Sequence, residues 1–135
     1  MIRAHPFIVI CIATFFGSSL WFSINAVSDQ LLAMWGIGTA GIGHLTSVLQ
    51  FGFILGTLSI ALTGIADRHS PSKIFFISAI IGALANSAFP LADGNLSVAL
   101  ILRFIVGISL AGIYPIGMKL VVNWAPGQTG NVLGW

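Results

Sequence analysis

Three stretches of this chain, Pro6 to Ser28, Gln30 to Ala66 and Ile74 to Ala92, contain no aspartate, glutamate, lysine or arginine. Their lengths match or exceed the roughly 20 apolar residues that an α-helix needs to cross a hydrocarbon core of about 30 Å. Inside such a core the backbone must satisfy its own polar groups, which leaves helices and closed barrels. Barrel strands alternate in polarity over about 10 residues. The runs here are longer and mostly continuous, so they read as helices. Charged residues make up only 6% of the 135 residues and hydrophobic ones 57%, against roughly 25% charged in a soluble domain. The fold class is an all-α, polytopic transmembrane bundle.

Breakers divide the chain into four expected spans near residues 6–27, 45–66, 74–90 and 96–118. A stretch holding Gly36, Gly38, Gly41 and Gly43 separates the first two, and the turn Asp93-Gly94-Asn95 separates the last two. Basic residues then set the orientation. With a cytoplasmic amino terminus, Arg3, Arg68, Lys73 and Lys119 fall inside, while the outer connections hold Asp29 and Asp93. This predicts an integral protein of the inner or plasma membrane. A cleaved leader is the alternative for the first span, but the apolar stretch exceeds the usual 7 to 15 residues and carries Trp21 and Phe22. The isoelectric point near 9.2 reflects these inward-facing basic residues and implies no nucleic-acid partner.

Residues that could carry chemistry are sparse. Cys11 lies alone inside a span, and His5, His44 and His69 lack metal-ligand spacing. There is no phosphate-binding loop, and Gly17-Ser18-Ser19 offers a hydroxyl without a recognisable base. The expectation is no enzyme, no cofactor and no metal site.

Helical phase sorts the few polar residues. In the first span Thr14, Ser18, Trp21 and Asn25 are spaced 4, 3 and 4 apart and form one stripe. It suits interhelical hydrogen bonding first, and also a cavity wall in which Trp21 supplies stacking area and Asn25 a donor and an acceptor. In the second span Thr46, Gln50, Thr57 and Gly64 share one face, while Gly52, Gly56, Ser59 and Thr63 share another. The Gly52–Gly56 pair lets a neighbouring backbone approach closely, so this helix is expected to be clamped on two sides.

Arg103 interrupts the fourth span about 10 Å below its start at 1.5 Å per residue, where burial costs at least ~2 kcal/mol. Snorkelling to the interface is one solution at that depth. Gly107 and Tyr114 lie at offsets 4 and 11 on the same face, a register that suits a watered cavity. Pro115 follows and is expected to kink the helix.

Between the second and third spans, Thr63 to Lys73 places three of the charges within seven positions: Asp67, Arg68 and Lys73. This segment resembles the signature loop G-x-L-A-D-R-x-G-R-R/K of the major facilitator superfamily of secondary transporters. Ala66, Asp67 and Arg68 match, and Ile65 stands for the Leu. Thr63, Ser70, Pro71 and Ser72 replace the glycines and basic residues, with Lys73 arriving just afterwards. Arg103 to Gly107 is similar to that family's R-x-x-x-G in helix four. Lys119 to Trp135, with Trp124, Pro126, Gly130 and Gly134, is similar to the following loop and the start of a fifth helix near 129–135, although Thr129 stands where an Arg is frequent.

The resemblance implies a fold and a mechanism. Asp67, supported by Arg68, would stabilise the outward-facing state through charge and helix-end contacts, and Arg103 would serve proton coupling or substrate contact. Helices one and four would line a central cavity, bringing Trp21, Asn25, Ser18, Tyr114 and Arg103 to the solute or proton pathway, which Gln50 of the second span is expected to join. Family members carry six-helix halves built from inverted three-helix repeats around a midplane site. This chain supplies one repeat, a fourth helix and the start of a fifth, and is therefore expected to be an incomplete transporter. Its implied partners are a small-molecule or ion substrate, membrane lipid and the missing carboxy-terminal half. A small four-helix scaffold or assembly subunit without transport activity is the alternative.

Overall fold

The computed structural model describes residues 6–124. The expectations placed on Arg3, His5, Pro126, Thr129, Gly130, Gly134 and a fifth helix near 129–135 lie outside the described residues. Among the described residues the regular structure is helical: α1 Pro6–Ser18, α2 Ser28–Trp35, α3 Thr39–Thr63, α4 Ile65–Arg68, α5 Pro71–Ser87 and α6 Leu96–Trp124. Helices α3 and α6 are each long and apolar enough to cross a membrane. The first expected span is broken. Ile8–Trp21 and Asn25–Trp35 meet at 54° and qualify as a span only together. The third appears as the shorter apolar helix α5, extended by a 3-10 turn at Phe89–Ala92.

The break has a local cause. Gly/Ser pairs are among the recognised origins of sharp kinks, and Gly17-Ser18-Ser19 sits where α1 gives way to a 3-10 turn. Serine hydroxyls offer the backbone alternative partners: Ser19 Oγ donates to Phe16 O at 2.6 Å and Ser23 Oγ to Leu20 O at 2.9 Å. The register of Thr14, Ser18 and Trp21 therefore does not continue unbroken to Asn25, which lies beyond the bend and is exposed.

Of the glycine-rich stretch expected to be a connection, Gly36 and Gly38 lie in the break between α2 and α3, whereas Gly41 and Gly43 belong to the first turns of α3, which starts at Thr39. Glycine costs about 1 kcal/mol in a helix, less than leaving backbone groups unpaired in an apolar setting. The other boundaries follow sequence-local chemistry. Gly64 adopts φ +60 and caps α3 by donating to Ile60 O at 3.1 Å. Pro71 opens α5. Asn95 Oδ1 accepts from the N–H groups of Ser97 and Val98 at 3.1 and 3.2 Å, capping α6 after a turn in which Asp93 and Gly94 have φ of 43 and 82. Helix α6 runs without interruption through Pro115 to Trp124, beyond the expected end near residue 118.

Helix α6 is the axis of the structure, and small residues set its distance from each neighbour. A Cβ on Gly107 would lie 2.1 Å from Leu49 O, and one on Gly52 2.5 Å from Phe104 O. On Gly56 it would lie 2.8 Å from Ala111 Cβ. The Gly52–Gly56 pair thus serves α6, whereas Ser59 and Thr63 on the same stripe are exposed and return their hydroxyls to their own helix. Toward α5, Gly112 meets Ser78; toward α1, Gly17 meets Ile113 and Gly117 meets Thr14. One apolar cluster joins Ile24, Leu31, Leu45, Phe89, Ala92 and Ala99, with Trp35 stacked on Phe89 at 5.3 Å. A second joins Leu49, Ala85, Val106 and Leu110. The outward faces stay apolar: Phe51, Ile54, Leu58 and Leu62 on α3 are 50–78% exposed. Such stripes are the surface an integral membrane protein presents to lipid.

Candidate functional site

Two adjoining cavities run along the face shared by α1 and α6. The larger, about 830 Å³, is walled by Cys11, Thr14, Phe15, Ser18, Tyr114 and Met118 among others. The smaller, about 270 Å³, is walled by Ser18, Trp21, Phe22, Phe53, Leu110 and Tyr114. Ser18 and Tyr114 belong to both, so the cavities form one groove. The Trp21 indole meets the Phe53 ring edge-on with centroids 5.0 Å apart, which holds both rings in the wall. Tyr114 is 48% exposed. The hydroxyls of Thr14 and Ser18 are covered and lack hydrogen-bond partners among the described residues.

Arg103 lines neither of these cavities. It is 1% exposed, so its head does not snorkel to an interface, and it spans the break in the first helix instead. Nη1 donates to Ser23 Oγ at 3.0 Å and to Leu20 O and Asn86 Oδ1, each at 3.4 Å; Nη2 donates to Trp21 O at 3.4 Å. Carbonyls released by the break thus receive the guanidinium fork, whose planar donors suit several acceptors at once. Ser23 is 2.8 Å from Asn86 Oδ1, so its single proton serves either that amide or Leu20 O while its lone pair accepts from Arg103. Among the described residues no carboxylate pairs with Arg103.

The register that groups Arg103, Gly107 and Tyr114 therefore meets three different neighbours. Arg103 reaches the α1 break and Asn86 of α5, Gly107 abuts Leu49 of α3, and Tyr114 faces the groove. Gln50 is exposed on α3 and lines neither cavity. At the end of the molecule carrying the α3–α5 connection, Asp67 pairs with Lys119. Lys119 Nζ also donates to Ala66 O at 2.9 Å, clasping the connection to α6. The ammonium, first by hydrogen bonding and then through its charge, holds the Asp67 carboxyl below its ordinary value of 3.8. Arg68 and Lys73 are exposed beside it.

Sequence reasoning passed over Lys119 as the partner of Asp67, and Ser23, Asn86 and Phe53 altogether. A signal existed for one of them: Asn86 is the only amide in its expected span, and a buried amide needs a partner. Phe53 carried none, because one more phenylalanine in an apolar run is indistinguishable from a lipid-facing residue.

A helical bundle with a groove beside its central helix, and a charged clasp tying the α3–α5 connection to α6, defines a polytopic helical membrane protein. The chain belongs to the Major Facilitator Superfamily, whose family profile matches residues 7–135. It is 33% identical over 103 residues to the niacin transporter NiaP of Acinetobacter baylyi (strain ATCC 33305 / BD413 / ADP1). That match covers 76% of this chain and 23% of the relative, so the aligned part is under a quarter of the relative's length. No solved structure matches the chain significantly.

Proposed function

We propose that this chain forms the amino-terminal part of a secondary active transporter that moves a small solute by alternating access along the groove between α1 and α6. One observation carries the reading. Helix α6 packs closely against α3 and α5 and touches α1 at Gly17–Ile113 and Gly117–Thr14, and beside those α1 contacts lies a groove whose two cavities share Ser18 and Tyr114. The relative's length supports a remainder that supplies the opposing wall. The basic bias of Arg68, Lys73 and Lys119 supports a cytoplasmic position for the clasp and the amino terminus in an inner or plasma membrane. Breaking and re-forming the Asp67–Lys119 pair would accompany the exchange of inward and outward states.

The relative's name makes niacin the first solute to test. The full-length transporter in proteoliposomes should show counterflow of its solute. Single cysteines at Thr14 and Tyr114, in a background lacking Cys11, should be protected from labelling when solute is present. Labelling that ignores solute while counterflow proceeds would place the pathway elsewhere.

A further inference from the structure

The walls of the groove are chemically one-sided. Among the described residues neither cavity is lined by a carboxylate, ammonium, guanidinium or imidazole group, and Arg103 is buried with its donors turned to Leu20, Trp21, Ser23 and Asn86. Swinging it into the groove would leave those acceptors unpaired in an apolar setting, each at a desolvation cost. A solute's charged group placed against this wall would meet no counter-charge, an expensive arrangement at membrane depth.

What the wall does offer is ring surface. Trp21, locked by its edge contact to Phe53, and the half-exposed Tyr114 flank a cavity of about 270 Å³, just under the usual range of roughly 300–1,000 Å³ for small-molecule pockets. That space suits a single ring. Ser18 lines both cavities; its unpartnered hydroxyl is covered and reaches a solute as a donor only by rotating between staggered χ1 wells.

We infer that the groove grips the ring of a planar aromatic solute and leaves its carboxylate to the opposing half of the transporter, with the Ser18 hydroxyl donating to a ring nitrogen. The inference rests on the groove being the solute pathway. It assigns Arg103 to positioning: by holding the Leu20 and Trp21 carbonyls at the break it sets where the Trp21 ring stands, without touching solute.

Three monocarboxylates separate ring from charge: nicotinate, benzoate, and the equally charged but non-aromatic cyclohexanecarboxylate. Their binding to the purified full-length transporter would be measured by calorimetry. The expected result is cyclohexanecarboxylate binding weaker by about threefold to tenfold, a gap that Trp21→Leu largely closes and Trp21→Phe retains. Ser18→Ala should reduce the preference for nicotinate over benzoate by about threefold to tenfold and leave benzoate unchanged. Equal binding of all three acids, binding of none, or equal weakening of all three by Trp21→Leu overturns the assignment. Parallel counterflow keeps the two readings apart. Equal counterflow of benzoate and cyclohexanecarboxylate overturns the ring assignment and leaves transport standing; aromatic-selective binding without counterflow supports the ring assignment and overturns transport.

Discussion

Replacing Gly107 with alanine tests the packing that places the groove. The added methyl would sit 2.1 Å from Leu49 O and 3.0 Å from both Leu49 C and Phe53 N, all backbone of α3 and therefore unable to swing aside. A carbon approaches a carbonyl oxygen to about 3.3 Å at closest, so α3 and α6 would have to separate by roughly 1.2 Å. The same interface carries Gly52 against Phe104 O and Gly56 against Ala111, and a gap of 0.5–1 Å already forfeits a quarter to a half of each dispersion contact. Overpacking of this kind costs about 1–3 kcal/mol. Gly43→Ala is the matched control: it adds the same methyl inside α3, where nothing lies within 4 Å, and should be neutral or stabilise by about 0.5–1 kcal/mol through helix propensity. Thermal unfolding of the full-length protein in detergent should show Gly107→Ala several degrees below wild type and Gly43→Ala at or above it. Indistinguishable midpoints for the two variants would refute the close α3–α6 approach.

Three further outcomes follow from the same geometry. Arg103→Lys keeps the charge but loses the fork, and in a thermodynamic cycle with Ser23→Ala the two should couple by about 0.5–3 kcal/mol; additive effects would mean that Arg103 does not hold the break through Ser23. Asp67→Asn and Lys119→Met should raise labelling of a cysteine placed at Ser70 to the same extent, and the double variant should add nothing; additive increases would argue against their pairing. Because Lys119 depresses the Asp67 carboxyl, the clasp is fully present above the ordinary value of 3.8 and is lost as pH falls through the lowered one. Ser70 labelling with a pH-insensitive reagent should therefore be flat at neutral pH and rise only in acid; a rise centred near neutral pH would contradict this.

Several elements were legible in the sequence because their causes are local. Charge-free runs demand helices in lipid whatever they later pack against. The caps at Gly64, Pro71 and Asn95 follow from the φ preference or hydrogen-bonding geometry of one residue and its immediate neighbours. The signature around Ala66 to Arg68 likewise marks its connection by residue type alone. Boundaries were harder at Gly41 and Gly43, where glycine's reputation as a breaker yields to the need to pair the backbone, and at Ser18 to Asn25, where phase reasoning assumed a straight helix.

By itself, then, the sequence determined that this is a helical membrane protein, with connections at Gly64 to Ser70 and at Asp93 to Asn95 and basic residues at the first of them, since lipid solvation and capping act within a few residues. Tertiary structure alone decided what Arg103 does. Its helical phase pairs it with Gly107 and Tyr114, but its partners at Leu20, Trp21, Ser23 and Asn86 exist only because the first helix breaks and α5 docks beside it. Side chains far apart in the chain share a hydrogen bond or a cavity only after close packing sets their separation. Glycines along α3 and α6 set that separation here, leaving Trp21, Phe53 and Tyr114 to wall an open groove.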